Sequence, residues 1–199
     1  MELSIILSAL AGFGYCLAYL DYNRGVLTGE TKPNGATWAI WSAIAVVSTG
    51  SYFAASGDFW KSLLPILNIV LCIGTFVLAL IAGKFKKLDV TDWIALGLGL
   101  IAAVIWGVYK SATYANLIVQ AAIMVGFIPT WRAIWKTPSC EHPRPWWIWD
   151  VSYCVSAIVV ILRWKNQWID LVYPINCIVL HASVPILCLL RAKAKLATK

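Results

Sequence analysis

Asp150 and His181 are the side chains that could exchange a proton from within apolar stretches of this chain. An imidazole titrates near neutral pH unaided, and a carboxylate about one turn into an apolar stretch is costly unless it has a partner or a task. Alongside them stand four amides, Asn68, Asn116, Gln120 and Asn176, and a tryptophan pattern written twice, Trp38-Ala-Ile-Trp41 and Trp146-Trp-Ile-Trp149. Two indoles three residues apart share one helix face. If the two copies face each other, the four rings form a hydrophobic gate, a stacking platform for a planar solute or a cation-π cage. Asn68 and Asn176 are the leading substrate contacts, with Asn116 and Gln120, which share a face at i, i+4, behind them. Each residue also has a plainer reading. Amides tie membrane helices together at about 0.6–2 kcal/mol, tryptophans collect at headgroup depth, Asp150 can accept hydrogen bonds at a helix amino terminus, and His181 can bond a neighbouring helix.

Catalysis finds little else to work with. Two histidines and nine acids, mostly in loops, offer no nucleophile with its base and no carboxylate cluster, so no enzyme is expected. The six cysteines show no CxxC or other metal-type spacing; we expect no metal, cofactor or disulfide.

The elements that must position these residues follow from composition. Of 199 residues, 61% are hydrophobic and only 13% charged, and the mean hydropathy is +0.77, so the expected solvent is lipid. Seven apolar blocks are long enough to cross a bilayer as helices: Leu3–Leu20, Thr37–Ala55, Ser62–Gly83, Trp93–Tyr109, Tyr114–Trp135, Trp146–Trp164 and Trp168–Arg191. The first has no Lys or Arg ahead of it, unlike a signal peptide, and reads as a true span. Alternate loops hold twelve and four basic residues, with Arg24, Lys32, Lys84, Lys86, Lys87, Arg132, Lys136, Arg144 and the carboxyl-terminal cations on the richer side. The positive-inside rule then sets the amino terminus outside and the carboxyl terminus in the cytoplasm of a bacterial-type inner or plasma membrane. The net charge of +7 suits an anionic bilayer surface rather than nucleic acid.

The chain also repeats itself. Trp38–Ser48 lies over Trp146–Ser156 at an offset of 108, Pro65–Cys72 over Pro174–His181 at 109, and Gly12–Tyr15 over Gly126–Pro129 at 114. We therefore expect an all-α membrane protein of two parallel three-helix repeats, residues 1–83 and 113–191, joined by a linker helix within 84–112 and followed by a basic tail, 192–199. Pro65, Pro129 and Pro174 are candidate hinges for rocking one bundle against the other. This 3+1+3 plan, with a proline-containing loop after the first helix of each unit, resembles the SWEET and PQ-loop transporter superfamily. Pro129-Thr130 stands where that family has Pro-Gln. The resemblance implies a carrier for a small solute, a binding asparagine in the third helix of each unit, which Asn68 fits and near which Asn176 falls, and proton coupling, for which Asp150 with His181 is the candidate. The aromatic residues favour a planar, amphipathic or cationic solute. One chain suffices for a pore, with a homo-oligomer open. A membrane sensor or assembly subunit of the same fold is the alternative.

Overall fold

A computed structural model describes residues 2–82 and 87–197; Gly83, Lys84, Lys86 and Lys199, used in the readings above, lie outside them, as does the Lys195 side chain. The described residues are all-helical: α1 (Glu2–Thr28), α2 (Gly35–Ser56), α3 (Leu63–Ile81), α4 (Val90–Tyr109), α5 (Ala112–Lys136), a 3-10 turn (Pro138–Cys140), α6 (Pro143–Leu162) and α7 (Ile169–Ala197). All seven helices are long and apolar enough to cross a membrane, the makeup of an integral membrane protein.

The pattern along α1 explains the packing. Leu3, Ile6, Leu10, Phe13, Leu17 and Leu20 recur every three or four residues and are exposed, whereas Ser4, Ser8, Ala11, Tyr15, Ala18, Tyr19 and Tyr22 form the opposite, buried stripe. A helix that turns its large aliphatic face outward and its small and hydroxylated face inward suits lipid, because helix association there rests on close packing and hydrogen bonds. The helix outruns its apolar block by eight residues, to Thr28. Tyr22 continues the inward stripe set by Tyr15 and Tyr19 at i, i+4 and i+7, and the helix gives way only at Gly29, whose φ of 80° is left-handed.

Caps set the other boundaries. Asn34 accepts from the Ala36 amide to start α2, and Gly57 closes it in the left-handed region. Asp89 and Asp92 form a reciprocal capping box at the start of α4.

In the bundle, α3 packs on both α1 and α2, and α7 packs on both α5 and α6. The two groups meet where α1 runs along α6 and α2 along α5, while α4 lies against α5 and α2. Gly50 lets α4 approach: a Cβ there would run into the Trp106 indole.

Candidate functional site

At the meeting of the two groups lies a cavity of about 50 Å³, walled by α1, α2, α3, α5, α6 and α7. It has room for a few waters, well short of the roughly 300–1,000 Å³ of a site occupied by a drug-sized ligand. Among the described residues, no Lys, Arg, Asp or Glu lines it.

Four indoles form one wall. Trp38 and Trp41 lie 5.0 Å apart between ring centroids and Trp146 and Trp149 lie 5.2 Å apart; across the pairs, Trp38 meets Trp149 at 6.5 Å and Trp41 meets Trp146 at 6.4 Å. The His181 ring sits against Trp146 at 5.5 Å, Trp149 at 5.8 Å and Tyr153 at 4.8 Å. His181 Nδ1 is 2.8 Å from the Cys177 carbonyl oxygen. A carbonyl only accepts, so Nδ1 carries the hydrogen and the neutral ring keeps Nε2 as an acceptor.

Asn68 supplies the opposite character. Its Oδ1 accepts from Tyr15 at 2.8 Å and Tyr19 at 2.7 Å, which leaves its NH2 group as the donor toward the cavity it lines. With the Tyr15 proton given to Asn68, Tyr15 accepts from Tyr153 at 2.9 Å, and Tyr153 in turn from Tyr173 at 3.4 Å. The buried Trp149 Nε1 has no partner and is a second donor. The lining thus offers flat apolar walls, the Asn68 NH2 group and the Trp149 and Trp41 indoles as donors, the unpartnered Ser48 hydroxyl, and His181 Nε2 as an acceptor.

Different chemistry lies beyond each end. At the Glu2 end of α1, the α2–α3 and α6–α7 connections exchange ion pairs: Lys61 Nζ to Asp170 Oδ2 at 2.6 Å, and Arg163 to Asp58 at 2.9 Å. Burial alone would raise the Asp58 carboxyl, but Arg163 and the Lys61 and Trp60 amides hold it below the usual range. Tyr52 donates to the Asp170 carbonyl at 2.8 Å, the oxygen that Pro174, four residues on and lacking an N–H, leaves without its helical partner. Toward the other end lie Tyr22, which packs on Trp38, Trp146 and Trp149, and the turn before α6.

No known protein family, curated protein or solved structure matches this chain.

Of the residues singled out in the sequence, Asn68, Trp38, Trp41, Trp146, Trp149 and His181 line the cavity. Asn176 does not: its Nδ2 donates to the Gln120 Oε1 at 3.0 Å and the Gln120 carbonyl at 3.2 Å, tying α7 to α5. Cys177 occupies the wall instead. The Pro65-to-Pro174 alignment lays Asn68 over Cys177, and one residue along a helix is a turn of about 100°, which carries Asn176 off the axis. Asp150 also lies outside the cavity, half-buried on the flank of α6 with Oδ1 unpartnered, and is not brought to His181. Pro65 is the third residue of α3, a first-turn position where no helical hydrogen bond is lost; Pro129 and Pro174 lie inside their helices. Asn116 is fully buried in α5, away from the cavity lining.

Sequence reading missed the tyrosines, although the spacing of Tyr15, Tyr19 and Tyr22 was a usable signal. It also missed Glu141, the crossed ion pairs and Gly126. A Cβ on Gly126 would stand 2.6 Å from Trp41 Nε1. Gly126→Ala is expected to cost about 1–3 kcal/mol through overpacking, and Trp41→Phe in the same chain to recover most of it, as read by thermal melting of the purified protein.

Proposed function

We propose that this chain is a small-solute membrane carrier of two parallel three-helix units, α1–α3 and α5–α7, joined by α4, with the amino terminus outside. The neighbour pattern supports the two-unit reading, since α3 relates to α1 and α2 as α7 does to α5 and α6, and the α1–α6 contact mirrors that of α5 with α2. So do positions paired by the sequence offsets, Trp38 with Trp146, Trp41 with Trp149, Asn68 with Cys177 and Cys72 with His181, all of which line one cavity.

The observation that carries the carrier reading is the cavity itself: central, aromatic and, among the described residues, lined by no Lys, Arg, Asp or Glu. Opening the ion-paired end and the tryptophan end in turn would give alternating access. The walls suit a planar solute without negative charge that presents both an acceptor, for Asn68 and Trp149, and a donor, for His181.

The test is thermal stabilisation of the detergent-purified protein by sugars, amino acids, nucleosides, vitamins and quaternary amines, repeated on the folded Trp41→Ala/Trp149→Ala variant. A compound that stabilises the wild type alone identifies the solute class, and its uptake by proteoliposomes distinguishes a carrier from a sensor. Stabilisation without uptake supports the sensor reading; a panel with no response counts against both.

A further inference from the structure

Glu141 stands outside the cavity, between the 3-10 turn and α6, with both sequence neighbours, Cys140 and His142, differing sharply in exposure. His142 is open to solvent, yet Glu141 is only 8% exposed. Its Oε2 accepts from Trp146 Nε1 at 3.1 Å and its Oε1 from the Tyr22 hydroxyl at 3.4 Å. Tyr22 in turn accepts from Trp38 Nε1 at 3.3 Å. The first tryptophan of each Trp-x-Ile-Trp motif is thus tied to one carboxyl group, Trp146 directly and Trp38 through Tyr22. The Glu141 carbonyl faces Cys188 Sγ of α7 at 4.0 Å, and the preceding Cys140 carbonyl accepts from the Lys32 amide at 3.0 Å. Glu141 therefore links α1, α6 and α7 directly and α2 through Tyr22, while its neighbour Cys140 ties in the α1–α2 connection.

Among the described residues, the groups that bond its carboxyl are neutral donors and no cation is paired with it. Tyr22 faces it from α1, Trp146 from α6, Cys188 from α7, and Cys140 stands beside it, while Lys136 ends α5 ahead of the turn. Just outside lies a polar cleft of about 190 Å³ lined by Asp21, Arg24, Glu30, His142 and Arg144. Within that cleft Arg144 pairs with Asp21 at 3.3 Å rather than with Glu141. Each carboxyl oxygen accepts one hydrogen bond in the structure and keeps a lone pair for a proton.

We propose that Glu141 is a proton-binding site, loaded while the Trp38 and Trp146 end of the bundle is closed and emptied into the polar cleft when that end opens. Burial pushes the carboxyl up to about 8, with the Trp146 and Tyr22 donors offsetting only part of it. In water the same group titrates near 4.5. Between these values the closed state binds more protons than a state with Glu141 in water, so rising pH favours opening and destabilises the closed bundle. The site stands whether or not a solute crosses; that the proton moves with the solute rests on the carrier reading.

Infrared spectroscopy of the purified full chain between pH 5 and pH 10 tests it. The expected result is a protonated-carboxyl band in the wild type at pH 7, lost with a midpoint near 8, and missing from Glu141→Gln. Trp146→Phe and Tyr22→Phe each remove a donor to the carboxylate and should move the midpoint upward, a readout that survives if Glu141→Gln does not fold. Hydrogen exchange of residues 29–34 and 137–142, corrected for its intrinsic pH dependence, should quicken above the midpoint in the wild type and stay level in Glu141→Gln. A wild type without the band at pH 7, a Glu141→Gln protein that retains it, or equal exchange in both overturns the proposal. A failed solute panel with the titration intact counts against the carrier alone; a bound solute without the titration removes the proton site alone.

Discussion

Lys61→Met lowers the stability of the purified protein by about 3–5 kcal/mol, and adding Asp170→Leu restores most of the loss. The expectation follows from where the pair sits. Lys61 and Asp170 are 0% and 1% exposed at their side chains, and their charged atoms are 2.6 Å apart. Taking both charges out of water is costly, and their mutual attraction offsets that cost only while both are present. Removing the ammonium alone strands a carboxylate whose Oδ1 already lacks a partner. Removing both charges with apolar groups of similar volume strands nothing. The neighbouring Arg163–Asp58 pair provides contrast, because Arg163 is 19% exposed and water can take over part of its role. Arg163→Met should therefore cost less than Lys61→Met. Chemical denaturation of the wild type and the three variants decides the matter, and a single Lys61→Met as stable as the double variant would show that the Asp170 charge is solvated after all.

Trp149→Ala should cost about 3–5 kcal/mol, the range for deleting a buried large aromatic side chain, and added indole should recover part of it. Trp149 is 2% exposed and packs against Tyr19 at 4.8 Å, Trp146 at 5.2 Å and Tyr22 at 5.5 Å between ring centroids. Its removal joins a ring-shaped void to the existing cavity, and rings fixed on the remaining sides cannot collapse into it. Apolar cavities of this kind bind small aromatic molecules, so free indole at millimolar concentration should raise the melting temperature of the variant more than that of the wild type. Trp147→Ala on the same helix is the control: Trp147 is 40% exposed, and its loss should be small. Equal losses at positions 147 and 149 would mean that Trp149 is no more than a surface residue.

Much of this organisation was legible because it is written locally. A helix long enough to cross a bilayer needs about 20 apolar residues in a row, and all seven blocks became helices. A tryptophan motif that repeats with its flanking residues announces itself, and the structure gathers its four rings in one wall. Asn176 was harder, since an offset of one residue, invisible to a loose alignment, turns a side chain from the axis to the neighbouring helix. Pro65 looked like its counterpart Pro174, but only a helix start fixed at Leu63 shows that the two have different backbone consequences. Glu141 was the least legible. An acid in a loop with prolines and cations ordinarily faces water, and its burial depends on Tyr22, Trp146 and the Lys32-to-Cys140 hydrogen bond, which come from three separate parts of the chain.

The offset that lays Pro65 over Pro174 also lays Lys61 over Asp170. In the two-unit reading, the buried ion pair therefore joins equivalent positions, one from each unit, that meet across the pseudo-two-fold axis. Two copies of the first unit set face to face would press ammonium against ammonium in a dry spot, and two copies of the second would press carboxylate against carboxylate. Only a mixed partnership is neutral there. In that reading, self-pairing of either half is penalised by like-charge repulsion, whereas one chain carrying both units gives each an unlike partner.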